Sequence, residues 1–291
     1  MSNLTGVGVA LVTPFHEDLS IDFESLTRLV DYNIENGTNF LVVLGTTAES
    51  ATLSKDEKKQ VTDHIIKANN GRLPLVLGIG GNNTLEVKKQ IEETDLSAFA
   101  AVLSVSPYYN KPNQEGLYQH YKALAETGKN IIIYNVPGRT GQNLEASTTL
   151  RLANDFPNLF MIKEAAPNMT QYFDILRKKP ANFSLVSGDD EYTLPVTLAG
   201  GDGVISVIGQ AYPKQFSTMV QLGLERKVDE AYKIHNNMVE ITRLIFAEGN
   251  PAGVKTVLSE MGIIKNYLRL PLVKASEELQ AKIKAEMKNI Q

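Results

Sequence analysis

The sequence contains no cysteine. That excludes disulfide scaffolds, thiolate nucleophiles, cysteine zinc sites and iron–sulfur clusters, and it suits a reducing compartment. Histidine is scarce: the four are His16, His64, His120 and His235. None lies at ligand spacing from another, and the last three fall in segments read as helix. This argues against a transition-metal site and against a Ser-His-Asp triad. No apolar run approaches the ~18 residues of a membrane span. The opening stretch MSNLTGVGVALVTPF lacks a basic n-region and is broken by Gly6 and Gly8, so it reads as a first strand and not as a signal peptide. An excess of basic charge is also missing. Lys plus Arg is 29 against 33 Asp plus Glu, a net charge of −4. Without basic runs, neither nucleic acid nor an anionic membrane is an expected partner. There is no low-complexity tract, long linker or short repeat. A cytoplasmic protein is the expectation.

What is present is a large apolar content, 43 % of 291 residues, with 21 % charged. At ~150 residues per domain the length gives about two domains, yet α/β barrels routinely run longer as one. Short apolar, β-branched runs recur at residues 7–12, 40–44, 75–79, 100–105, 131–135, 159–162, 184–187 and 204–208. They are continuous rather than alternating, as in parallel strands buried on both faces. Amphipathic stretches lie between them at 22–36, 54–69, 114–126, 146–155 and 170–178. The second opens with Ser54 and Glu57, the signature of a capping box.

Eight strand–helix units predict an α/β protein, a (β/α)8 TIM barrel with a C-terminal helical appendage. The competitor, a doubly wound sheet, is disfavoured because no Gly-x-Gly-x-x-Gly follows the first strand. The expected division is a catalytic barrel over 1–225 and a helical region over 226–291, with helices at 226–247, 253–261 and 276–290.

Barrel chemistry sits where strands end. Strand six runs into Lys163. A lysine after a buried apolar run either projects into the barrel mouth, where its amine can form a Schiff base with a carbonyl, or pairs with a carboxylate such as Glu164. Strand five ends in YNVPGRTG from Tyr134. Tyr134 can move protons or simply cap the core. Arg139 suits a carboxylate or is an ordinary surface arginine. Strand two ends in GTTAES from Gly45, whose N–H groups and hydroxyls suit a carboxylate or merely connect to a helix. Strand four ends in SPYYNKP from Ser106, a stiff aromatic loop that also fits a subunit contact. The glycines around Gly78 and Gly200 are weak phosphate signals.

Together with IKEA from Ile162, SGDD from Ser187 and GVISV from Gly203, these segments resemble the pyruvate-dependent class I aldolases of the dihydrodipicolinate synthase / N-acetylneuraminate lyase type. The resemblance spans essentially the whole chain, and YNVPGRTG, the double threonine and PYYN favour the synthase branch. It implies that Lys163 forms the Schiff base with pyruvate. It implies a proton relay through Tyr134, Thr46 and Tyr109, the last reaching into a neighbouring subunit. Thr47 joins Thr46 on the pyruvate carboxylate, Gly188 and Ile205 line the pyruvate pocket, and Arg139 grips aspartate semialdehyde. No cofactor and no metal are implied. A homo-oligomer is, usually a tetramer built as a dimer of dimers.

The resemblance also implies a regulatory L-lysine site at Ser50, Ala51, Asn82, Glu86 and Tyr108. Lys58, with Lys55, stands where lysine-sensitive members often carry histidine. Added ammonium groups oppose a cationic ligand, so weak or absent inhibition by lysine is expected. Ala48 replaces a usual glycine, which questions the local turn. Ala166-Pro167 and Gly253 are further departures. The alternatives are a lyase acting on a sugar-derived 2-keto acid, a catalytically silent barrel, and a phosphate-sugar isomerase.

Overall fold

The computed structural model describes residues 4–290. Residues 1–3 and 291, the outer ends of the two expected regions, lie outside the described residues. Eight strands form a closed parallel barrel, each hydrogen-bonded to the next and β8 to β1. They are β1 (Gly6–Ala10), β2 (Phe40–Val43), β3 (Leu75–Gly78), β4 (Ala101–Val105), β5 (Ile131–Asn135), β6 (Leu159–Glu164), β7 (Ser184–Ser187) and β8 (Gly203–Ser206). The doubly wound alternative is thereby excluded.

Between and after the strands run α1 (Phe23–Glu35), α2 (Lys55–Asn69), α3 (Thr84–Glu93), α4 (Gln114–Ala125), the single turn α5 (Pro137–Thr140), α6 (Ala146–Asp155), α7 (Met169–Lys178), the short α8 (Thr193–Leu198) and α9 (Pro213–Leu224). Then follow α10 (Val228–Phe246), α11 (Ala252–Glu260) and α12 (Glu277–Met287). The capping box on α2 is present: Glu57 N–H donates to Ser54 Oγ, and Ser54 N–H donates to the Glu57 carboxylate.

Side-chain alternation sorts the apolar runs into two cores. Ala10, Phe40, Val42, Val76, Leu103, Ile132, Val186 and Ile205 fill the barrel interior. Val9, Leu41, Val43, Leu77, Val102, Ile133, Leu185 and Val204 face the helices. Both faces of each strand are covered, which is why the runs are continuous in sequence.

β6 breaks the alternation once. Ile131 pairs with Leu159, but Ile132 pairs with Met161, so β6 holds one extra residue. Phe160 and Met161 both belong to the interior core. Strict alternation from Leu159, which faces the helices, would send residue 163 outward. The extra residue reverses that phase and aims Lys163 inward.

The last helices are tied to the barrel's β2 loop. Gly253 lets α11 cross α10 closely, because a Cβ there would stand 2.3 Å from the carbonyl oxygen of Ile245. This is a packing reason for glycine at that position. Among the described residues, no helix is long and apolar enough to cross a membrane.

Candidate active site

Lys163 and Tyr134 are register partners on β6 and β5. Both point into the mouth end of the interior, at 5 % and 7 % exposure. The Lys163 amine stands 4.4 Å from the centre of the Tyr134 ring. Burial on this scale removes the ammonium from bulk water, and the ring face offers only a partial replacement. Among the described residues Lys163 forms no ion pair. Glu164 is not its partner, because it faces the opposite side of the sheet. There it accepts from Asn135 Nδ2 (2.9 and 3.0 Å), Ala166 N–H (2.7 Å) and Gln171 Nε2 (2.8 Å). Burial pushes the Glu164 carboxyl up to about 7 despite these donors.

A cavity of about 410 Å³ opens above Lys163. Gly45, Thr46 and Thr47 form one wall, Tyr134, Val136 and Arg139 another, and Ala165, Gly188, Asp189 and Glu191 a third. Gly188 must lack a side chain: a Cβ would stand 2.9 Å from Lys163 Cε and 2.7 Å from Ala165 Cβ. Arg139 sits exposed on α5, whose first residue, Pro137, supplies the fixed φ that starts a helix.

The turn after β2 is a 3₁₀ segment, Thr46–Ala48. Ala48 takes an ordinary conformation there. The left-handed positions of this turn are Leu44 (φ 56°), before it, and Glu49 (φ 55°), next to Ala48, so residue 48 itself does not need a glycine. Thr47 is buried and its Oγ1 accepts from Asn250 Nδ2 at 2.8 Å. Thr46 faces the cavity, and no direct hydrogen bond joins it to Tyr134 among the described residues.

Ile205 does not line the cavity. It is fully buried within the interior core. Tyr109 is also absent from the cavity wall. It is 89 % exposed, in a left-handed conformation (φ 74°), on the β4 loop. Of the residues considered for regulation, Asn82 donates to the Tyr108 carbonyl at 3.1 Å. Ser50, Ala51 and Lys58 share no hydrogen bond or ion pair with them among the described residues, and Glu86 lies exposed in the first turn of α3.

The site holds residues that sequence reasoning missed. Thr242, Arg243, Phe246, Ala247 and Asn250 of the C-terminal region line the same cavity. Arg243 pairs with Glu191 at 2.5 Å. Asp190, fully buried, accepts from the N–H groups of Val207 and Ile208, tying the β7 loop to the end of β8. Burial raises its carboxyl to about 6. Asn250 Oδ1 is buried without a hydrogen-bond partner among the described residues.

The sequence profile of the dihydrodipicolinate synthetase family matches residues 3–290. The chain belongs to that family. It is 56 % identical to the 4-hydroxy-tetrahydrodipicolinate synthase of Flavobacterium psychrophilum, over 97 % of each chain. Among solved structures, it superposes on the chloride-inhibited dihydrodipicolinate synthase of Acinetobacter baumannii complexed with pyruvate. That match has a TM-score of 0.95 and 39 % identity, covering 99 % of each chain. A monomeric dihydrodipicolinate synthase variant matches with a TM-score of 0.95 and 40 % identity, covering 98 % of this chain and 96 % of that one. Membership makes the chain a Schiff-base-forming lyase, and the silent-barrel and isomerase alternatives fall away.

Proposed function

We propose that this enzyme condenses pyruvate with L-aspartate 4-semialdehyde on Lys163 to give 4-hydroxy-tetrahydrodipicolinate, the first committed step of diaminopimelate and lysine synthesis. The observation that carries the assignment of residues is the placement of Lys163: a buried amine without an ion pair among the described residues, beneath a cavity walled by two threonines, a tyrosine and an arginine.

The Lys163 amine adds to the pyruvate ketone and water leaves, giving an iminium. That cation withdraws electrons from the methyl group, which loses a proton to become an enamine. The enamine carbon attacks the aldehyde carbon of the second substrate, whose oxygen takes up a proton. The substrate's own amine then adds to the iminium carbon, expels Lys163 and closes the ring. Tyr134 stands beside Lys163 as the proton carrier. The Thr46–Thr47 turn holds the pyruvate carboxylate, and Arg139 grips the carboxylate of the aldehyde. Gly188 leaves room for the lysine stem, and Ile205 supports the pocket from the layer below.

In the assembled protein, a tetramer made of two dimers, Tyr109 extends the relay from Tyr134 and Thr46 across a subunit contact. Its exposure in the single chain is compatible with that role. The enzyme acts in the cytoplasm and responds weakly or not at all to L-lysine at Ser50, Ala51, Lys58, Asn82, Glu86 and Tyr108. A catalytic barrel over 1–225 is completed by a helical region over 226–291.

The test combines trapping with turnover. Borohydride added with pyruvate should attach a reduced pyruvyl group to the peptide containing Lys163. Pyruvate should then be consumed with aspartate semialdehyde and not with N-acetylmannosamine or glyceraldehyde. Labelling elsewhere, or turnover with a sugar aldehyde alone, would overturn the assignment.

A further inference from the structure

The aldehyde in the proposed reaction carries an ammonium as well as a carboxylate. Arg139 answers the carboxylate, and no residue discussed so far answers the ammonium. Two carboxylates line the cavity, Asp189 and Glu191. Asp189 Oδ1 accepts from the backbone N–H groups of Glu191 (2.9 Å) and Tyr192 (3.3 Å), closing its own turn, and burial raises its carboxyl, which makes it the poorer anion of the two.

Glu191 is placed differently. It lies at the rim, with its side chain 35 % exposed, and is gripped from one side by Arg243 of α10. Arg243 Nε–H donates to Oε2 at 3.2 Å and Nη2–H donates to Oε1 at 2.5 Å. A two-pronged grip fixes the carboxylate plane and leaves a lone pair on each oxygen for another donor. The same contact holds Glu191 below the usual carboxylate range, so it is ionised at neutral pH. The cavity therefore presents the remaining lone pairs of an Arg243-held carboxylate on one wall and the Arg139 guanidinium on another. That is the complement of a zwitterion.

We propose that Glu191 is the subsite for the ammonium of the incoming amino-aldehyde, with Arg243 as the positioning residue that holds its carboxylate. The inference rests on the reading of the second substrate given above. Glu191 acts at capture. After the new carbon–carbon bond has formed, the ammonium leaves Glu191, gives its proton to solvent, and the free amine adds to the iminium carbon.

The test compares two ligands that differ in the amine: L-aspartate 4-semialdehyde as substrate, and succinate semialdehyde, which has the same carboxylate and aldehyde, as competitive inhibitor. In Glu191→Gln the KM for the amino-aldehyde should rise by about tenfold, the scale of one hydrogen bond to a charged group. The inhibition constant of succinate semialdehyde, the KM for pyruvate and borohydride labelling of Lys163 should stay as in the wild type. Arg243→Met should shift the same KM, and Arg243→Lys should recover part of the loss. An unchanged KM in Glu191→Gln would overturn the proposal, as would an equal rise in the constants for both aldehydes. Wild-type protein that consumes pyruvate only with sugar aldehydes would instead overturn the reading beneath it.

Discussion

Lys255 and Glu49 meet at 2.5 Å with neither side chain exposed to solvent. The lysine also donates to the Tyr267 carbonyl, and the second glutamate oxygen accepts from Arg269 N–H. Glu49 closes the turn that presents Thr46 and Thr47, so a cation from α11 braces that wall of the cavity. Burial holds the Lys255 ammonium down to about 8, against the pull of Glu49. Replacing Lys255 with methionine strands an anion in the core and should cost about 3–5 kcal/mol of stability. Replacing both residues with apolar ones of similar size should recover much of that loss. Chemical denaturation of the two variants checks both statements.

Tyr134→Phe keeps the ring above the Lys163 amine and removes the hydroxyl. Turnover should fall by about 10²–10⁴-fold, the usual worth of a positioned acid–base group. Borohydride labelling at equilibrium should survive. Single-turnover kinetics separate the two effects.

Gly188→Ala places a methyl carbon 2.9 Å from Lys163 Cε and 2.7 Å from Ala165 Cβ. Overpacking of this kind costs about 1–3 kcal/mol. Here part of the strain falls on the lysine stem, so the rate of labelling by pyruvate should drop more than stability does.

Acid should loosen the contact between α2 and the C-terminal segment. The Arg269 guanidinium, which donates to Glu57, holds that carboxyl down to about 2 from 4.5. A depressed carboxylate contributes stability above its unfolded value and loses it as pH falls through its folded value. The wild type should therefore lose stability between about 4.5 and about 2. Glu57→Gln should show a flatter profile over that interval. Urea midpoints measured at several pH values test this.

Much of the fold was legible because barrel strands announce themselves as continuous apolar runs. Seven of the strands lie within one or two residues of the positions read at either end, as Gly6–Ala10 against 7–12, and two of them, Ile131–Asn135 and Ser184–Ser187, match at both ends. β6 was read short by two residues, because Lys163-Glu164 looks like a strand end when it is still paired with β5 and β7. α3 escaped because only Val87 and Ile91 are buried along it. α8, at six residues, is too short to show a period. The barrel half of the site was legible from strand ends. The C-terminal half was not, since Arg243 and Asn250 reach the cavity only through helix packing. One signal was available: Lys255 interrupts the apolar run GVKTVL as Lys163 interrupts its own.

The extra residue in β6 makes the enzyme's chemistry a question of parity. Amine and carboxylate are neighbours in the chain, one facing the cavity and one facing the helices. Shortening β6 by a residue between Leu159 and Lys163 would exchange their destinations, sending the amine out among the helices and the carboxylate into the barrel. Every amino acid with a role in the reaction would still be present, and the strand would still pair. The nucleophile would stand on the wrong side of the wall.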